Sequence, residues 1–97
     1  MLRTTPGDMT ERFWIRGEVG SAVFPVWIAR HAARLGLQAR IVGQGRDGLT
    51  LILSGGPEML DAMALACSLG PREVWVDEIV RSQENAAAGA EYPSATA

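Results

Sequence analysis

The apolar positions of this chain change period along its length, and each change marks an element. From Arg12 to Val19 they alternate. Phe13, Ile15 and Val19 share one side while Trp14, Arg16 and Glu18 take the other, which predicts a half-buried strand. Gly20-Ser21-Ala22 interrupts the pattern. Phe24, Trp27, Ile28, His31, Ala32 and Leu35 then recur at helical spacing, with Arg30 and Arg34 off the stripe. Pro25 suits a first helical turn, where a missing N–H is tolerated, and Gly36 suits a left-handed cap.

A second strand is predicted over Leu37–Val42 and a third over Leu49–Ser54, whose leucines alternate inward. Between them Gly43-Gln44-Gly45-Arg46-Asp47-Gly48 holds an Asp-Gly pair, a strong hairpin signal. Gly55-Gly56-Pro57-Glu58 opens a second helix whose buried face is read as Met59, Leu60, Met63, Ala66 and Cys67. Gly70-Pro71 stops it, and Val74–Val80 is the last strand. The order βαββαβ, with short connections, predicts an α+β, ferredoxin-like α/β sandwich. Its four-stranded antiparallel sheet takes the order 4-1-3-2, with two helices on one face.

At 97 residues the chain is one domain. Residues 1–10 read as a flexible leader, 11–82 as the folded domain and 83–97 as a disordered tail of small and polar residues. Nine arginines, no lysine and eleven acids give a net charge of −2, which offers no basic field for nucleic acid and no basic amphipathic helix for a membrane surface. Apolar runs are too short to span a bilayer, and the first residues lack the apolar stretch of a secretory signal. Cytoplasmic location is the default expectation. Cys67 is a single thiol on an apolar helix face, so it reads as a small core residue. No metal-ligand spacing and no cofactor motif occur; the glycine-containing hairpin lacks any nucleotide-binding fingerprint.

Taken in order, these pieces resemble the acylphosphatase family. Gly17-Glu18-Val19-Gly20-Ser21-Ala22-Val23-Phe24-Pro25 occupies the place of the family's glycine-rich loop. Ala32 and Leu35-Gly36-Leu37 follow with matching spacing, Asp47-Gly48 fits the hairpin with about one extra residue, and Gly70-Pro71 with Val74, Val76 and Ile79 fits the last strand. The resemblance implies a phosphate-binding loop, here Gly20, Ser21, Ala22, Val23 and Phe24, and hydrolysis of a carboxyl–phosphate anhydride. Such chemistry rests on backbone amides and one arginine holding the phosphoryl oxygens, with an asparagine positioning water.

Both named side chains are absent. The arginine position is Pro25, which removes a guanidinium and an N–H together. The asparagine position reads as Gly43. Gln44, next to it, is the one candidate catalytic substitute; Arg16 and Arg40 on the outer sheet face and Arg46 at the hairpin tip are the nearest arginines. His31 reads as a core-edge residue. The expectation is an acylphosphatase-like domain with a degenerate site and lost or severely reduced hydrolysis, binding a small phosphate-like anion or a protein. The alternative is an active acylphosphatase working through Gln44 and a relocated arginine.

Helices cover one face of such a sheet only. Alternation puts Trp14, Ile52, Val42 and Trp75 on the open face, where they are read as an apolar band, with Trp14, Ile52 and Trp75 as interface residues for a homodimer or a protein partner.

Overall fold

A computed structural model describes residues 7–84. The expected leader and tail therefore fall largely outside the described residues, at 1–6 and 85–97.

The elements are β1 (Met9–Glu18), α1 (Val23–Arg34), β2 (Gln38–Gln44), β3 (Gly48–Gly55), α2 (Pro57–Leu69) and β4 (Trp75–Gln83). The sheet is antiparallel in the order β2-β3-β1-β4, which is the expected 4-1-3-2 read from the other edge. β1 begins earlier than its alternation suggested. Met9 and Thr10, placed in the leader by sequence, pair with Gly55 and Ser54, and the Thr10 and Ser54 hydroxyls hydrogen-bond at 2.7 Å. At the other end Gln83 pairs with Glu11, and the Glu84 amide donates to the Thr10 carbonyl at 2.8 Å. Ladder hydrogen bonds carry both strands outward, and at the start of β1 Met9 also packs against the core.

The core lies between the sheet and both helices. Phe13, Ile15, Leu49, Leu51 and Leu53 meet Phe24, Ile28 and Ala32 of α1 and Leu60, Met63 and Cys67 of α2. Met59, expected on the buried face of α2, is exposed instead. The arc that faces the sheet is Leu60, Met63, Ala64 and Cys67, spaced i, i+3, i+4, i+7, and Met59 falls one residue outside it. Burial pushes the Cys67 thiol up to about 12, so it stays protonated and inert.

Two irregularities shape the functional end. In β4 the register shifts so that Arg16 faces Glu78 while Gly17 faces Val76, leaving Asp77 as a bulge residue. Gly17 has φ +145°, and a Cβ there would collide with the Trp75 carbonyl oxygen. In β2 the register shifts between Ile41, opposite Leu51, and Gly43, opposite Thr50. Val42 is the inserted residue.

Candidate functional site

The loop between β1 and α1 is held from below by the β2–β3 hairpin. The Gly17 amide donates to the Asp47 carbonyl at 3.2 Å and the Val19 amide to the Arg46 carbonyl at 3.1 Å. The hairpin backbone packs so closely that a Cβ at Gly20 would lie 3.1 Å from the Arg46 Cα. Glycine at 20 lets the two backbones approach this closely; a side chain there would press on the hairpin. The expected anion-binding loop is a braced turn.

Its hydrogen bonding is already partly spent. The Val23 amide donates to Ser21 Oγ at 3.1 Å and the Phe24 amide to the Ser21 carbonyl at 3.2 Å. Pro25, third in the helix, has no N–H to offer. Of the five loop residues read as anion-binding, only Gly20, Ser21 and Ala22 keep amides with no partner among the described residues.

Gln44 reaches this loop. Its Nε2 donates to the Val19 carbonyl at 2.9 Å and to the Ser21 carbonyl at 3.1 Å. Gly43 does not. Residues directly opposite one another share a face of the sheet; Gly43 faces Thr50, which faces Trp14 on the helix-free side. Gln44 faces Leu49, which faces the core residue Ile15. The bulge at Val42 absorbs the extra hairpin residue, so the side chain presented to the loop is that of Gln44. Counting along the sequence without the bulge gave Gly43.

The relocated-arginine candidates are spread apart. Arg16 is exposed and lies 3.7 Å from Glu78. Arg40 is exposed on edge strand β2, opposite Ile52. Arg46 alone borders the loop, in a shallow groove of about 580 Å³ lined by Glu18, Gly20, Ser21, Arg46, Asp47 and Glu73. A neighbouring groove of about 690 Å³ is lined by Arg16, Gly17, Glu18, Asp47, Asp77 and Glu78. Acids outnumber arginines in the lining of both. His31 stacks on Trp27 with ring centroids 4.1 Å apart, half-buried at the core edge.

The interface band expected on the open face is not continuous. Trp14 sits between Thr50 and Val80, Ile52 sits between Arg12 and Arg40, and Trp75 faces Glu18 at the far end of β4. Trp75 is 68 % exposed and donates its indole N–H to Asp77 at 3.0 Å. Ile52 is half-buried and Trp14 is buried.

No family model matches the sequence, and no curated protein matches it. Solved structures do. An acylphosphatase from Coxiella burnetii superposes with a TM-score of 0.77 over 94 % of this chain and 96 % of its own, at 13 % identity. The chain has the acylphosphatase-like fold. An acylphosphatase from Bacillus subtilis matches at TM-score 0.72 and 16 % identity, over 84 % of this chain and 90 % of its own. The same fold occurs inside full-length HypF, solved in a phosphate- and nucleotide-bound form, where 87 % of this chain covers 11 % of that one at TM-score 0.72 and 16 % identity. Identity this low carries the backbone and not the chemistry, which in this acylphosphatase-like domain must be argued from its own side chains. No helix among the described residues is long and apolar enough to cross a membrane, and no cluster of metal-ligating side chains occurs among them.

Proposed function

We propose that this is an acylphosphatase-like domain that has lost, or nearly lost, acyl-phosphate hydrolysis, and that its β1–α1 loop serves to hold a small anion or a protein segment. The observation that carries this reading is the fate of the two positions facing the loop. Pro25 brings neither a guanidinium nor an amide. The Gln44 amide nitrogen is committed to the Val19 and Ser21 carbonyls. A group engaged in bracing the loop is poorly free to orient a water molecule, and catalysis of this kind depends on such orientation.

The acidic lining adds to the case. Glu18, Asp47 and Glu73 surround the three remaining loop amides, with Arg46 as their partial counterweight. Without a fixed arginine, a trigonal charge developing in the transition state meets a net negative surface. A weakly charged anion or a peptide edge that presents backbone carbonyls suits these amides better than a phosphoryl dianion.

The second reading, an active acylphosphatase, rests on the fact that Gln44 does reach the loop and that Arg46 borders it. Amide NMR with a singly charged anion such as nitrate, run beside an aromatic acyl-phosphate assay, separates the two. The proposal expects chemical-shift changes confined to Gly20, Ser21 and Ala22, with no enzymatic turnover. Turnover at the ordinary enzyme scale of about 10 s⁻¹ would establish the second reading instead.

A further inference from the structure

The outer surfaces of the two helices carry matching rows. On α1 the row is Val23, Val26, Arg30 and Arg34; on α2 it is Glu58, Asp61, Leu65 and Leu69. Both step by three, four and four residues, which holds each row within a narrow arc of its helix. The residues that face the sheet, Phe24, Ile28 and Ala32 on α1 and Leu60, Met63 and Cys67 on α2, occupy the opposite arcs. Every residue of the two rows is exposed. Leu65 and Leu69 are 66 % and 75 % exposed, an apolar surface that marks a contact site when it is rimmed by charge.

Strand register fixes how the rows run. α1 starts near the Glu18 end of β1 and leads to Gln38, which pairs with Ser54, itself opposite Thr10 at the other end of the sheet. α2 starts after Gly55, which faces Met9, and leads to Trp75, which faces Glu18. The helices are therefore antiparallel. Val23, Val26, Leu65 and Leu69 gather at the Glu18 end of the layer, beside the β1–α1 loop. At the Met9 end the rows are charged, with arginines on α1 and acids on α2. Arg30, Arg34 and Glu58 form no ion pair among the described residues. Asp61 pairs with Arg81 at 3.0 Å, and its side chain stays 72 % exposed, with room for a second partner.

We propose that this face docks on a second copy of the chain, about a two-fold axis that runs between the helices and along them. Such an axis lays α1 of each protomer antiparallel on α2 of its partner. The two rows then fall into step. Val23 meets the partner's Leu69, Val26 the partner's Leu65, Arg30 the partner's Asp61 and Arg34 the partner's Glu58, and the symmetry repeats each pair. Apolar groups fall on apolar groups and each arginine on an acid. The C-terminus of α1 also lies beside the N-terminus of the partner's α2, the favourable arrangement of helix dipoles. With helices of 12 and 13 residues, a rise of about 1.5 Å per residue and axes about 8–10 Å apart, the face measures about 20 Å by 20 Å. Two such faces bury about 800 Å² in all, which suits a weak, exchanging dimer rather than an obligate one.

Sedimentation velocity over protein concentrations from about 1 μM to 1 mM, with a charge exchange between chains, tests the pairing. The wild type should dimerise at the upper concentrations, and added salt should weaken the dimer. Arg34→Glu alone, or Glu58→Arg alone, sets like charges together on both sides of the axis, so each should raise the dissociation constant at least about tenfold. An equimolar mixture of these two variants restores both pairs across the axis, and it should associate about as tightly as the wild type. That rescue cannot arise within one chain. Both positions are exposed, and far-UV circular dichroism checks that each variant is folded. A wild type that stays monomeric at about 1 mM, variants that associate as the wild type does, or a mixture that gains nothing over its components each overturn the proposal.

Discussion

Gln44 and Val19, 25 residues apart, are joined by a side-chain amide donating 2.9 Å to a main-chain carbonyl. The bond ties the end of β2 to the loop that precedes α1, and a second donation to Ser21 at 3.1 Å makes the tie two-pronged. Gln44→Ala should remove both. Each such bond contributes about 1 kcal/mol at most when exposed, so the expected loss of global stability is about 1–2 kcal/mol by denaturant unfolding. Hydrogen exchange should accelerate most at residues 19–24. Uniform acceleration across the domain would mean that Gln44 does not brace this loop in particular.

Restoring chemistry requires changing both positions that face the loop. Pro25→Arg returns a guanidinium and an amide, and Gln44→Asn shortens the side chain by one methylene, releasing its amide from the two carbonyls. Removing one preorganised donor typically costs about 10²–10³ in rate, so the pair should raise acyl-phosphate hydrolysis at least tenfold over the wild type and more than either single change. Gly43→Asn in place of Gln44→Asn should give no gain, because position 43 faces the open side of the sheet. Equal gains from the two asparagine variants would refute the bulge-based assignment.

Two glycines of the site should respond in opposite ways. Gly17→Ala forces a Cβ into the Trp75 backbone at a positive φ, and relief requires the β1–β4 bulge to open. A loss of about 2–4 kcal/mol is expected, in the range of backbone strain plus overpacking. Gly43→Ala meets nothing within 4 Å and needs no unusual φ. Its effect should stay within about 0.5 kcal/mol. Thermal unfolding of both variants checks the contrast.

The Arg12–Glu84 pair makes stability depend on acid. Arg12 lowers the Glu84 carboxyl in the folded protein, so the ionised form is favoured on folding. Its contribution is therefore complete above about pH 4.5, the ordinary value for the group, and is lost as pH falls through the lower folded value. Glu84→Gln should melt at lower temperature than the wild type at pH 7, and the gap should shrink steadily below about pH 4.5. A gap that stays constant to pH 2 would show that the pair contributes through packing alone.

Much of this molecule can be read from its residue pattern, and the failures have a common cause. β3 is central and flanked on both sides, so its strict alternation gives its face and its register together. Phe24, Ile28 and Ala32 likewise disclose the buried side of α1. Edges and bulges are another matter. The insertion at Val42 has no signature of its own, and it moved the loop-facing position from Gly43 to Gln44. Register separates Trp75 from Trp14: Trp75 stands opposite Glu18, four residues further along β1, whereas alternation alone had placed the two in one band. Trp14 shows the same limit differently: its phase put it on the helix-free face, but nothing local announces that it is buried there. Arg12–Glu84 spans 72 residues and no local pattern announces it.

The central claim, a retained fold with its hydrolytic chemistry dismantled, is tested most directly by one rate. The wild-type chain, purified and shown to be folded, is supplied with an aromatic acyl phosphate at saturating concentration, and carboxylate release is followed against the buffer blank. With the arginine position occupied by Pro25 and the Gln44 amide engaged, the predicted turnover lies at least 10²-fold below the ordinary enzyme scale of about 10 s⁻¹. A measured turnover at or near that scale, abolished by Gln44→Ala, would contradict the claim.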